Sequence, residues 1–167
     1  MKKLALLSVI AVLCLPFTAQ AQTPKLVSKH GDWASYVRTV GGETICYVLT
    51  EPKSKSPSGV NHGDIYFMVA SWKSGAAFEQ PSFLAGYNLK ANLPPKAIIG
   101  KKSFPMYAAE NEGFIEESSQ EKALVKAMRA GATMQVQAMS QRGTSVSYSF
   151  SLKGVTAALS KAKASCG

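Results

Sequence analysis

Apolar and polar residues alternate most regularly near the end of the chain, over residues 144–152. The apolar positions are Val146, Tyr148, Phe150 and Leu152, and serines stand between them. Such alternation is typical of a β-strand with one buried face, because a register slip of one residue would expose its whole apolar side. Residues 133–140 alternate in the same way, and Arg142-Gly143 supplies a turn between the two segments. A strongly specified pair of strands is therefore predicted here.

Shorter segments rich in aromatic and β-branched residues precede this pair. They predict strands over residues 33–40, 44–50, 65–72, 83–89, 96–99, 102–107 and 113–116. Gly41-Gly42 can adopt the positive φ of a hairpin turn between the first two. The mostly apolar segment 65–72 predicts a central strand, and Pro105 indicates that residues 102–107 form an edge strand. Residues 51–63 have the composition of a loop.

A helical period replaces the alternation over residues 119–130 and, more briefly, over residues 155–163. In the first segment Leu124 and Met128 are four residues apart, and charged residues occupy the opposite side. Ser118 with Glu121 forms a capping box, and Gly131 suits the left-handed position that ends a helix. The pattern as a whole predicts a mainly β chain with two short helices.

The N-terminus has the composition of an export signal. Two lysines precede an apolar run over residues 4–17, and Ala19-Gln20-Ala21 offers small residues to signal peptidase. Residues 1–21 are therefore predicted to be a cleaved signal peptide, with the mature chain beginning at Gln22. An uncleaved membrane anchor would need about 20 apolar residues, more than this run provides. A lipoprotein would need small residues before Cys14, where Val12 and Leu13 stand.

The 146 residues that remain after cleavage are enough for one domain with its own core. Residues 22–30 are polar and contain Pro24, which predicts a flexible leader. We expect a single domain over residues 31–167. The predicted location is the periplasm, with outer-membrane association or secretion as alternatives, and no transmembrane segment is predicted in the mature chain.

Cleavage also removes Cys14 and leaves Cys46 and Cys166 as the only cysteines. Two cysteines in an oxidising compartment predict a disulfide, with two free thiols as the alternative. The loop between them contains 119 residues. Chain-entropy arithmetic assigns a loop of this length about 4 to 5 kcal/mol of stabilisation.

The mature chain keeps 17 lysines and arginines against 10 acidic residues, a net charge of +7. This balance favours encounters with anionic surfaces such as lipid headgroups or polysaccharide. Export argues against nucleic acid as a partner. The basic residues are scattered and never form a block, so the simpler interpretation is that they keep the protein soluble.

Candidate catalytic residues are few. His30 and His62 are the only histidines, and neither has the spacing of a metal site. We predict that His62 is a turn residue. No nucleophile elbow or phosphate-binding glycine loop occurs in the sequence. One cluster of acids could in principle serve a glycosidase, although its simpler role is to favour a helix N-terminus. It consists of Glu110, Glu112, Glu116 and Glu117. We therefore predict no catalytic residue, no metal and no cofactor.

Several segments resemble, in order and spacing, the invasion-associated locus B family. The earlier ones are Gly31-Asp32-Trp33, Ile45-Cys46-Tyr47, Asp64-Ile65-Tyr66-Phe67 and Gly86-Tyr87. The later ones are residues 124–131, Ser140-Gln141-Arg142-Gly143-Thr144, residues 148–154, Ala157-Ala158-Leu159 and Cys166. Val155 departs from the family, which often has an aromatic residue there. The resemblance covers nearly the whole mature chain.

This resemblance implies an immunoglobulin-like antiparallel β-sandwich, a secreted or periplasmic location and a Cys46–Cys166 pairing. It also implies a link to host-cell invasion, but it supplies no catalytic residues. The main hypothesis is therefore an exported, non-enzymatic binding protein with an envelope or host-surface partner. An envelope-integrity or stress factor that binds anionic envelope components is the alternative. A hydrolase would require a pocket of converging polar groups.

Overall fold

The computed structural model describes residues 23–166, which form two antiparallel sheets and two helices. The prediction of a mainly β sandwich with two helices is confirmed. The predicted signal peptide and its cleavage residues Ala19, Ala21 and Gln22 lie outside the described residues.

One sheet has seven strands and the other has five. The seven-stranded sheet contains, in spatial order, β1 (Lys25–His30), β2 (Trp33–Val40), β3 (Glu43–Thr50), β5 (Tyr66–Trp72), β6 (Gln80–Leu84), β10 (Glu112–Phe114) and β9 (Tyr107–Ala109). The five-stranded sheet contains β4 (Ser54–Ser56), β12 (Ser145–Ser151), β11 (Thr133–Met139), β7 (Lys96–Ile99) and β8 (Lys102–Pro105). The helices are α1 (Ser118–Ala130) and α2 (Val155–Cys166).

The alternating segments pair as their pattern predicts. Strands β11 and β12 form a hairpin in which Val136 lies opposite Tyr148. The mostly apolar segment becomes β5, the central strand of its sheet, and Pro105 lies on the edge strand β8. Gly41 and Gly42 both have positive φ, 58° and 84°, in the turn between β2 and β3.

The core lies between the two sheets and is rich in aromatic side chains. Phe67 of β5 meets Phe150 of β12 edge to face, with ring centroids 5.8 Å apart. Phe83 of β6 packs on Tyr148 with ring centroids at 5.6 Å. Trp33 also joins the two sheets, because its indole N–H donates to the Ser151 carbonyl at 2.9 Å. These contacts bury the alternating apolar residues that the sequence placed on one face.

The expected flexible leader over residues 22–30 is wrong for most of its length. Lys25–His30 is strand β1, which pairs with β2 so that Leu26 lies opposite Tyr36. None of its side chains is fully buried, and no alternation marks the segment as a strand. Backbone hydrogen bonds to β2 and packing of α2 against β1 determine its conformation instead.

Both predicted caps of α1 differ from the structure. Glu117 is the N-cap, and its side chain makes no capping hydrogen bond. Gly131 is extended, with φ −93° and ψ 165°, rather than left-handed. The reason for a glycine here is close packing, because a Cβ at this position would lie 2.8 Å from Ile99 Cγ2 and 3.0 Å from Leu152 Cδ1.

Helix α2 extends beyond the predicted 155–163 segment and packs on β1, β2 and β3. Cys46 of β3 and Cys166 of α2 are joined by a disulfide, with their Cα atoms 5.8 Å apart. Ser35 on β2 is fully buried beneath the helix and donates to the Ala158 carbonyl at 3.0 Å. The disulfide therefore fixes the far end of a helix that covers one side of the seven-stranded sheet.

No helix within residues 23–166 is long and apolar enough to span a bilayer.

Candidate ligand cleft

Three connections meet at one end of the sandwich and form a cleft of about 650 Å³. They join β4 to β5, β6 to β7, and β11 to β12. The cleft is lined by residues from each connection, among them Asn61, His62, Tyr87, Asn88, Gln141 and Arg142. Its volume falls within the range of about 300 to 1,000 Å³ that is usual for ligand sites.

Two glycines bring the first two connections into backbone contact. A Cβ on Gly86 would lie 2.7 Å from the Asp64 backbone nitrogen and 2.8 Å from Gly63 Cα. Gly63 itself has a φ of +62°, a conformation that other L-residues rarely adopt. Larger residues at Gly86 would force these connections apart, so the glycines determine the floor of the cleft.

The third connection is bonded to the second. The Gln141 backbone N–H donates to the Asn88 carbonyl at 2.8 Å, and Leu89 forms an isolated β-bridge with Ser140. Within the turn, the Thr144 backbone N–H donates to Ser140 Oγ at 3.0 Å. These bonds within the protein hold the second and third connections together at the walls of the cleft.

A chain of hydrogen bonds runs beneath the cleft through His62, Tyr148 and Tyr87. His62 Nδ1 lies 2.8 Å from Tyr148 Oη, and Tyr148 Oη lies 2.7 Å from Tyr87 Oη. On the other side of the ring, His62 Nε2 lies 2.9 Å from the Pro57 carbonyl oxygen. His62 is only 8% exposed and Tyr148 is fully buried. The predicted turn residue is thus a buried imidazole with a partner at each nitrogen.

The environment of the two tyrosines keeps both phenols protonated. Burial is the main cause that raises the pKa of Tyr148, and the neighbouring Tyr87 raises it further. Burial also raises the pKa of Tyr87, which the hydrogen bond with Tyr148 partly opposes. Neither group is therefore a ready source of a phenolate.

The acidic cluster singled out in the sequence does not form part of this cleft. Glu117 is the N-cap of α1, where a negative charge favours the helix N-terminus. Glu112 lies on β10, and the cleft lining includes neither Glu110 nor Glu116. In the part of the chain that the structure describes, no three His, Cys, Asp or Glu side chains form a group that could hold a metal ion.

The sequence pattern alone does not locate the cleft, although several of the cleft residues carry other signals. Gly86-Tyr87 and the 140–144 segment carry the family resemblance, and Tyr148 belongs to the strongest alternating pattern. His62 gave no signal of burial. A polar residue between Asn61 and Gly63 in a glycine-containing loop ordinarily lies in solvent.

The structure is a two-sheet β-sandwich with a cleft between three connections at one end. The family model described as "Invasion associated locus B (IalB) protein" matches residues 33–163. The chain therefore belongs to the invasion-associated locus B family. No curated protein and no solved structure matches the chain.

Proposed function

We propose that this chain is an exported, non-enzymatic binding protein and that the cleft holds its ligand. The observation that carries the proposal is the cleft itself, in which three connections are held together by backbone contacts and hydrogen bonds within the protein. Binding to a preorganised site avoids the entropy cost of ordering loops, which leaves more of the contact energy for affinity.

The chemistry of the hydrogen-bond chain through His62, Tyr148 and Tyr87 supports binding rather than catalysis. Both nitrogens of His62 already have hydrogen-bond partners within the protein, so the imidazole is not free to take a proton from a substrate. Tyr148 is fully buried, and its raised pKa opposes formation of a nucleophilic phenolate. These groups support the walls of the cleft and orient Tyr87.

The proposed location is the periplasm or the outer face of the envelope. It is supported by the signal-like residues 1–21 and by the Cys46–Cys166 disulfide, a bond that persists in oxidising compartments. Participation in host-cell invasion is the proposed biological role, since the family takes its description from that process. The net charge of +7 in the mature chain favours the second candidate, an envelope-integrity factor that contacts anionic envelope components.

A site-specific crosslink tests the binding site in intact cells. A photoreactive amino acid at Asn88, an exposed residue lining the cleft, should give an adduct in the native envelope. The matched control carries the same group at Gln135, an exposed position on the five-stranded sheet away from the cleft. Equal labelling at both positions, or no adduct at Asn88, would contradict the proposal.

Deletion followed by complementation separates the two biological roles. The deleted strain is assayed in parallel for host-cell entry and for sensitivity to envelope stress. We expect the wild-type chain to restore entry and a chain with Arg142→Glu in the cleft to fail. Loss of envelope resistance with normal entry would instead favour the envelope-integrity factor.

A further inference from the structure

With a neutral His62 ring, the hydrogen-bond chain beneath the cleft has one direction. The Pro57 carbonyl oxygen can only accept, so His62 Nε2 must carry the proton that it donates. In the neutral ring Nδ1 is then an acceptor, and the Tyr148 hydroxyl donates a hydrogen bond to it. The single proton of Tyr148 is engaged in that bond, so Tyr148 Oη accepts the hydrogen bond that the Tyr87 hydroxyl donates.

This direction determines what Tyr87 can offer to a ligand. A phenol has one proton, and Tyr87 uses it inside the protein. Tyr87 Oη can therefore act only as an acceptor toward a ligand, because its proton is used in the hydrogen bond to Tyr148. A ligand group that meets Tyr87 must be a donor, such as a hydroxyl or an amide N–H.

The rim of the cleft offers a donor and therefore favours an acceptor on the ligand. Arg142 is exposed on the turn between β11 and β12, and its guanidinium can only donate. Within residues 23–166 the ion pairs are Lys53–Asp32 and Arg129–Glu79, so Arg142 belongs to none of them. No Asp or Glu lines the cleft. A carboxylate on the ligand would meet a planar, bidentate donor without competition from the protein.

Three of the remaining polar residues are amides, and Ser140 and Thr144 add hydroxyl groups to the lining. Asn61 Oδ1 accepts the Gly63 backbone N–H at 2.9 Å, which leaves the Asn61 NH₂ group available to donate. Asn88 and Gln141 have exposed side chains that can both donate and accept. Hydroxyl groups of a ligand are donors and acceptors as well, so they are the complement of such a surface.

Together these features suit a ligand that carries both hydroxyl donors and an anion. We infer that the cleft binds an acidic saccharide, with a ring hydroxyl donating to Tyr87 and the carboxylate accepting from Arg142. The inference rests on the proposed function, because it names the ligand class of the same cleft. Lysines elsewhere on the chain would not give this selectivity, since they attract every anion.

Binding of trigalacturonate, with galactotriose as its neutral counterpart, tests the inference on the mature chain. We expect a preference for the acidic trisaccharide that Arg142→Gln reduces by about 10-fold to 100-fold, as for a lost charged hydrogen bond. Tyr87→Phe should weaken binding of both saccharides by about 3-fold to 10-fold, since the hydrogen bond that the ligand loses joins two neutral groups. Gln135→Ala should change neither affinity.

Thermal melts of each variant exclude loss of folding as the cause of weaker binding. Arg142→Gln lies on an exposed turn, so this variant still tests the inference if Tyr87→Phe is unstable. Equal affinity for the two saccharides, or a preference that persists in Arg142→Gln, would overturn the inference. Inorganic phosphate that competes as well as trigalacturonate would also overturn it, because Arg142 would then bind any anion. A crosslink at Asn88 in cells together with no saccharide preference would reject this ligand class while the proposed function stands.

Discussion

The two sheets of the sandwich differ in the faces that they turn outward. On the five-stranded sheet the outward positions of β11 and β12 are mostly polar: Thr133, Gln135, Gln137 and the alternate serines, with Met139 as the apolar exception. On the seven-stranded sheet a second apolar cluster covers the outer face. It consists of Ile45, Tyr47 and Ala70, with Tyr36, Leu49, Met68 and Trp72 packed around them.

The outer cluster is held by contacts among its own side chains. Tyr36 and Tyr47 stack with ring centroids 5.3 Å apart, and the Arg38 guanidinium lies 5.9 Å from the centre of the Tyr47 ring. Tyr47 is 9% exposed, although no second layer from residues 23–166 covers this face. The outer face of the five-stranded sheet is thus mostly polar, whereas the seven-stranded sheet carries apolar clusters on both faces. Substitutions on the two sheets should therefore have different consequences.

The largest expected effect concerns the disulfide, which fastens α2 to the seven-stranded sheet alone. Cys46→Ser with Cys166→Ser should lower the free energy of unfolding by up to about 4 to 5 kcal/mol, because the unfolded chain regains the freedom of a long loop. Chemical denaturation of the two forms measures the change. Hydrogen exchange should show the greater loss of protection in β1, β2 and β3. Equal loss in β11 and β12 would mean that the disulfide acts through the unfolded chain alone and does not hold α2 on this sheet.

The next effect compares the two faces of β12. Phe150 is fully buried against Phe67, so Phe150→Ala should cost about 3 to 5 kcal/mol. Its neighbour Ser149 points away from the core, and Ser149→Ala should change stability by less than about 0.5 kcal/mol. Denaturant midpoints of the two variants test the contrast. A costly Ser149→Ala would show that the serine face is also an interface.

The difference between the faces also explains how much the sequence could predict. Residues 144–152 alternate strictly because only one side of β12 is buried, and this strand and its partner were predicted almost to the residue. Strand β3 has apolar residues on both faces, so its pattern does not tell which of Cys46 and Tyr47 faces the core. Strand β1 has no pattern at all.

The cleft could be predicted only in part, for a related reason. Tyr148 was assigned to a buried face by alternation, but its hydrogen bond to His62 joins residues 86 positions apart. Burial of His62 depends on the contact of Gly63 with Gly86, a close approach of two loops. No local pattern encodes such a contact. The folded arrangement of the loops was needed to find the chain of hydrogen bonds.

A smaller effect compares the outer faces directly. Tyr47→Ala should lower stability by about 2 kcal/mol, because it removes a nearly buried aromatic side chain and its stacking on Tyr36. The matched change on the other sheet, Gln135→Ala, should stay within about 0.5 kcal/mol. Thermal melts of both variants measure the difference. If Tyr47→Ala were as mild as Gln135→Ala, the outer cluster would contribute little to the fold.

The smallest effect concerns two acids whose pKa values move in opposite directions. Burial raises the pKa of Glu112 above its ordinary value of 4.5, and Arg38 opposes this shift only in part. The hydrogen bond from Lys53 lowers the pKa of Asp32 below its ordinary value of 3.8. Protonation of Glu112 therefore favours the folded state, whereas protonation of Asp32 disfavours it.

The two acids should consequently give opposite dependences of stability on pH. The contribution of Glu112 is complete below pH 4.5 and is lost as the pH rises through its raised pKa, so Glu112→Gln should gain stability relative to wild type between pH 4.5 and 7. The contribution of Asp32 is complete above pH 3.8 and is lost in acid, so Asp32→Asn should be less stable than wild type at pH 7 and approach it at low pH. Melting temperatures measured from pH 3 to pH 7 test both. Parallel curves for wild type and Glu112→Gln would mean that the outer face of the seven-stranded sheet is open to water at β10, against its apolar character at β3 and β5.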